Sequence, residues 1–125
     1  MSTELPRISD AEWEIMKVLW NRSPQSAKDI IAALDGKRDW NPKTVRTLIA
    51  RLTEKKAIGC TQEGRVYTYY PLVREEDCVK AETRSFLQRI YGGTLQPMLA
   101  HFLREEELSP EDIAELRRIL DERKD

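Results

Sequence analysis

Five side chains have types and spacing that suit one definite chemistry: Lys43, Thr44, Arg46, Thr47 and Arg51. All lie in Asn41-Pro42-Lys43-Thr44-Val45-Arg46-Thr47-Leu48-Ile49-Ala50-Arg51-Leu52. At about 100° per residue, Lys43, Thr47, Ala50 and Glu54 project from one side of a helix. Arg46 and Arg51 flank that side, and Thr44 lies nearer its boundary. Cations neutralise phosphate, and short hydroxyl side chains reach phosphates or base edges. A small residue such as Ala50 permits close approach or contact with a thymine methyl. These are the properties of a helix that enters a DNA major groove. Arg46 or Thr47 is expected at base edges, with Lys43 and Arg51 on phosphates. The plainer alternative is an amphipathic surface helix whose charges are merely solvated.

Such a face needs a back and a start. Val45, Leu48, Ile49 and Leu52 recur at i, i+3, i+4 and i+7, one apolar helical stripe. Asn41 can cap the helix, and Pro42 suits the first helical position because its missing N–H would be unpaired there anyway. The spacing predicts a helix to about Lys56. Two helices precede it. Ser9-Asp10-Ala11-Glu12 is a capping box, and the helix it opens carries Trp13, Met16, Val18, Leu19 and Trp20 as far as Asn21-Arg22-Ser23-Pro24. Ser26, with Asp29 as capping partner, opens the second, with Ile30, Ile31 and Leu34 inward and Gly36 at its end.

After Ala57 the period changes. Ile58–Glu63 and Arg65–Pro71 flank Gly64, and Val66, Tyr67, Thr68, Tyr69 and Tyr70 are β-branched or aromatic, so a hairpin is expected. Three helices followed by a hairpin is the winged helix-turn-helix pattern, with the third helix in the major groove. The hairpin is the wing, and Arg65 at its tip is expected near the DNA backbone or minor groove. Trp40, and Tyr67 or Tyr69, are expected to pack rather than stack on bases.

Residues 1–71 thus form a winged-helix domain. Residues 72–125 read as three short helices, giving a mainly α fold with a small β-hairpin. Val79, Phe86, Leu87, Ile90 and Tyr91 precede Gly92-Gly93. Leu95, Met98, Leu99, Phe102 and Leu103 follow Thr94, with Pro97 in the first turn. Ile113, Leu116, Ile119 and Leu120 follow Ser109-Pro110-Glu111-Asp112. This segment has too little mass to bury its apolar surface alone. It would be stable packed on a copy of itself through Phe86, Leu87, Ile90, Leu95, Leu99, Phe102, Leu103, Leu116, Ile119 and Leu120. A two-fold homodimer also supplies two reading heads for a palindrome.

Composition agrees. The net charge of −1 hides an asymmetry: residues 1–70 hold 12 Lys+Arg against 9 Asp+Glu, and residues 71–125 hold 9 against 13. Within 37–65 the balance is 8 against 3. A basic patch beside an acidic remainder suits a nucleic-acid reader joined to something else. No apolar run approaches the roughly 18 residues of a membrane span, and no signal peptide opens the chain. The expectation is a cytoplasmic protein without membrane insertion. His101 is the only histidine, and Cys60 and Cys78 are isolated, so no metal or cofactor is expected.

The order of these residues resembles a known family. Ser9-Asp10-Ala11-Glu12-Trp13-Glu14-Ile15-Met16, Asp39 through Leu52, and Gly64-Arg65-Val66-Tyr67-Thr68-Tyr69-Tyr70-Pro71 are similar to the penicillinase and methicillin-resistance repressors, the BlaI/MecI family, with the copper repressor CopY as a relative. Looser matches cover Ser85-Phe86-Leu87, Tyr91-Gly92-Gly93, Phe102-Leu103 and Leu108-Ser109. The resemblance implies a dimeric repressor of β-lactam-resistance-type genes, bound to double-stranded operator DNA with TACA/TGTA half-sites. It also implies release by a protease of a membrane sensor system, which cuts in the dimerisation region before a Phe that matches Phe102. The bond here is His101–Phe102, where the family members place Asn before the Phe. CopY relatives carry a C-terminal cysteine cluster, and Leu120-Asp121-Glu122-Arg123-Lys124-Asp125 has none, which disfavours copper sensing.

Three other readings stand beside this one. A BlaI-like regulator could serve an unrelated stress operon. A winged helix can also be a protein-interaction module; the basic 37–65 segment argues against it. An enzyme is disfavoured because no catalytic constellation is present in the sequence.

Overall fold

The computed structural model of the chain describes residues 5–123. Helix α1, Asp10–Asn21, starts at the capping box: Ser9 N–H donates to Glu12 Oε1 at 2.8 Å, and Glu12 N–H donates to Ser9 Oγ at 3.1 Å. Helix α2, Ala27–Leu34, repeats the device with Ser26 and Asp29. Helix α3, Pro42–Glu54, has Asn41 as its cap and Pro42 in its first turn. Each start satisfies N–H groups that have no partner inside the helix.

Helix α3 ends slightly earlier than the periodicity predicts. Lys56 adopts a left-handed backbone, φ 64°, the conformation that usually calls for glycine. Lys56 N–H donates to Thr53 O at 3.1 Å and Ala57 N–H to Leu52 O at 3.0 Å. This pair of bonds is a Schellman motif, sealed by contact between apolar Leu52 and Ala57 positions that are both fully buried. Because a side chain disfavours this conformation, Lys56→Gly is expected to raise stability by about 0.5–1 kcal/mol in a urea titration. A loss of stability would show that the lysine itself contributes.

The expected hairpin is present as β2, Ile58–Glu63, and β3, Val66–Pro71, joined through Gly64 and Arg65. Gly64, at φ 63°, supplies the positive φ that a two-residue hairpin loop requires at its first position. The sheet has one strand more than a plain hairpin. Gln25–Ser26 forms β1, which pairs antiparallel with β3, Gln25 opposite Tyr69 and Ser26 opposite Thr68, so the order is β1-β3-β2. A two-residue strand carries no alternation to detect. Gln25 is buried at 4% exposure, and its amide donates to Val18 O at 3.0 Å and Arg22 O at 2.5 Å. It thereby pairs carbonyls at the end of α1.

Ile15, Met16 and Leu19 from α1, Ile30 and Leu34 from α2, and the whole α3 stripe form one core with Ala57 and Ile58. Trp13 and Trp20 meet edge to face with ring centroids 5.6 Å apart, and Trp20 Nε1–H donates to Val73 O at 2.9 Å.

Three further helices follow: α4, Glu75–Tyr91; α5, Leu95–Glu105; and α6, Pro110–Glu122. Gly92 and Gly93 both have positive φ and stop α4. Thr94 stands before α5 but makes no side-chain capping bond, whereas Ser109 and Asp112 form a complete capping box for α6. The chain divides into two compact units between Ala81 and Glu82, inside α4. The boundary expected after residue 71 lies at the end of the wing, before this division. The first part of α4 stays with the first unit because its buried Cys78 joins that unit's core.

Candidate nucleic-acid interface

The apolar stripe of α3 is buried throughout: Val45, Leu48, Ile49 and Leu52 are each at most 5% exposed. That burial fixes the rotation of the helix. Lys43, Arg46, Thr47, Ala50 and Arg51 are consequently exposed together, and Thr44 is half-buried at their edge. Among the described residues, none of Lys43, Arg46, Arg51 and Arg65 is in an ion pair, while Lys17, Arg38, Lys55, Arg74 and Arg118 are. The four candidate cations are thus free to meet phosphate.

The cap also orders the face. Asn41 Oδ1 accepts from Thr44 N–H at 2.8 Å and from Thr44 Oγ1 at 3.1 Å. Thr47 Oγ1 donates to Lys43 O at 3.0 Å. Arg65 sits in the two-residue turn at the tip of the β2–β3 wing.

Tyr69 and Tyr67 share one face of β3 because alternate residues do. Tyr69 packs on the core, while Tyr67 is 49% exposed. Burial pushes the Tyr69 hydroxyl above its ordinary range, the neighbouring Cys60 adds to this, and the Arg46 cation opposes it. The inner face of the wing therefore lies within electrostatic reach of α3. Trp40 packs against the core, as expected for a large aromatic.

Two features escape sequence reasoning. Arg38 lies 5.4 Å from the Trp40 ring centroid and 3.2 Å from Glu14, which braces the turn before α3. Buried Glu12, besides capping α1, accepts from Lys55 Nζ at 2.5 Å, and Lys55 Nζ also donates to Arg7 O at 2.7 Å. The C-terminal end of α3 is thus tied to the start of α1. The capping box was the one local sign that Glu12 had a task; its second partner is far away in sequence.

His101 and Phe102 lie within α5, both exposed. Phe86, Ile90, Leu95, Leu99, Phe102, Leu103, Leu116, Ile119 and Leu120 are all at least 40% exposed, and Leu87 is half-buried. Among the described residues, none beyond Cys78 is buried.

A supported helix-turn-helix with an unpaired basic face and a hairpin beside it defines a winged-helix module. Residues 8–122 match the family model described as penicillinase repressor. The penicillinase repressor of Bacillus licheniformis is 43% identical over 121 residues, covering 97% of this chain and 94% of that protein. The methicillin resistance regulatory protein MecI of Mammaliicoccus sciuri is 37% identical over 123 residues, covering 98% of this chain and all of that protein. The solution structure of the DNA-binding domain of the repressor BlaI is similar at TM-score 0.54 and 41% identity, covering 61% of this chain and 93% of that one. The monomeric form of Bacillus licheniformis BlaI in complex with the blaP half-operator gives TM-score 0.53 and 42% identity, covering 59% and 90%. The chain belongs to the penicillinase repressor family. No described helix is long and apolar enough to cross a membrane.

Proposed function

We propose that this chain is a dimeric transcriptional repressor that binds palindromic TACA/TGTA-type operators of β-lactam-resistance-type genes. The observation that carries the reading is the exposed, unpaired basic and hydroxyl face of α3. It is supported by 42% identity to a protein whose structure holds a half-operator. Lys43 and Arg51 serve phosphates, Arg46, Thr47 and Thr44 serve the groove, and Arg65 serves the wing contact. The second unit, left without buried residues, supplies the partner surface. Cleavage of the His101–Phe102 bond would release the operator, because a single reading head keeps half the phosphate contacts and half their salt dependence.

The direct test is titration of a labelled palindromic duplex against a scrambled one at two salt concentrations. Palindrome-selective binding that weakens with salt supports the repressor. Weak binding to both duplexes, insensitive to salt, would favour the protein-interaction reading. Within this experiment Arg51→Ala is expected to weaken every sequence alike and to flatten the logarithmic salt slope by about one for each bound protomer, about two for the dimer on the palindrome. Loss confined to one base position would move Arg51 from phosphate to base.

A further inference from the structure

The threonines of α3 carry information about base choice that their mere exposure does not. A hydroxyl has one proton to donate and two lone pairs. The direction of its bond is forced whenever the partner has no proton to give. Thr47 Oγ1 lies 3.0 Å from the backbone carbonyl of Lys43, and a carbonyl only accepts. The Thr47 proton therefore points back into the helix. Thr44 is in the same state. Its Oγ1 lies 3.1 Å from the Asn41 side-chain oxygen. That atom must be the oxygen of the amide, because Thr44 N–H donates to it at 2.8 Å.

Both side chains thus face outward with lone pairs and a methyl group only. Phosphate oxygens, guanine O6 and N7, and thymine O4 are acceptors and gain nothing from such a surface. The donors in the major groove are the amino groups of adenine N6 and cytosine N4. Thr47 is exposed at the middle of the face, with slim Ala50 one turn on, whereas Thr44 is half-buried at its margin.

We propose that Thr47 is a specificity-determining acceptor that selects adenine or cytosine by hydrogen bonding to its exocyclic amino group. This rests on the DNA-binding reading above and gives the threonine a duty apart from phosphate binding: Lys43 and Arg51 hold phosphates, and the threonine discriminates bases. A hydroxyl that served phosphate would have to give up its bond to Lys43 O.

The experiment uses the full chain. A preferred duplex is selected from a randomised library. Affinities are then measured on that duplex and on versions in which single adenines become purine and single cytosines become 2-pyrimidinone, each lacking only the amino group. Wild type is compared with Thr47→Val, which keeps the shape but not the oxygen, and Thr47→Ser, which keeps the oxygen but not the methyl. One amino-deleted duplex should weaken wild type by about 3–10-fold, the range of a single hydrogen bond. Thr47→Val should be weaker on the intact duplex and lose less than about twofold more on the amino-deleted one, while Thr47→Ser keeps the amino dependence. Equal losses in wild type and Thr47→Val at every amino-deleted position would overturn the proposal. So would coupling of Thr47 only to loss of guanine N7 in a 7-deazaguanine duplex. Failure to enrich any duplex would instead defeat the DNA-binding reading itself, and is seen before any analogue is used. Circular dichroism melting of each variant confirms that the fold is retained.

Discussion

The double variant Phe102→Glu with Leu120→Glu is expected to be a monomer in sedimentation equilibrium and to lose about a hundredfold or more in affinity for a palindromic operator. Phe102 and Leu120 are 52% and 69% exposed in the protomer, so charge at these positions leaves the winged-helix core untouched. Burying a side chain of this size in a partner contributes about 1.5–3 kcal/mol, and placing unpaired carboxylates there reverses the sign. Linked reading heads gain roughly 10²–10⁴ in avidity over one head. The same variant should bind a half-operator duplex within about twofold of wild type, since one head suffices there. Retention of the dimer would place the self-association surface elsewhere; equal loss on both duplexes would mean that the reading head had been damaged.

The second large effect concerns the tie between α1 and the end of α3. Lys55→Ala is expected to cost about 2–3 kcal/mol in a denaturant titration, because it leaves the Glu12 carboxylate, 1% exposed, without its cation. Glu12→Gln removes the charge along with its need for a partner and should restore much of the loss when combined with Lys55→Met. The pH dependence has a definite sign. Burial raises the Glu12 pKa, but the bonds from Lys55 and from the Ser9 N–H and hydroxyl, with the Lys55 charge, together hold it below the ordinary 4.5. A depressed carboxyl pKa means that the unfolded chain takes up the proton first. The stabilisation is complete above the unfolded value and is lost as pH falls through the lower folded value. Glu12→Gln should therefore flatten the part of the acid limb of the stability curve that lies below about pH 4.5. An acid limb of unchanged steepness would show that other carboxylates account for it.

Parts of this molecule that obey local rules were readable from the residues alone. Ser9, Ser26, Asn41 and Ser109 each start a helix because a cap acts within three residues. The reading face followed from the 3.6-residue period, since burial of Val45, Leu48, Ile49 and Leu52 leaves Lys43, Thr47 and Arg51 only one direction to point. Pairings between distant segments were not legible. Strand β1 exists because Gln25 and Ser26 meet Tyr69 and Thr68, and Glu12 meets Lys55 across the core. The stop of α3 was legible only approximately, because Lys56 occupies a backbone state that usually announces itself as glycine. The hydroxyl directions at Thr44 and Thr47 depend on angstrom-scale geometry that residue type does not carry.

The uncapped start of α5 has a kinetic consequence. Its first turn lacks a side-chain bond from Thr94, two glycines precede it, and none of its residues is buried in the protomer. Little free energy therefore separates the closed helix from its opened chain. A peptidase needs an extended backbone, so the fraction of time this segment spends open multiplies the rate at which any bond within it, His101–Phe102 included, is cut. A dimer that covers this helix, as proposed above, would lower that fraction by mass action. The lifetime of the protein against cleavage in this helix would then rise with its own concentration, and the scarce, unpaired protomers would be removed first.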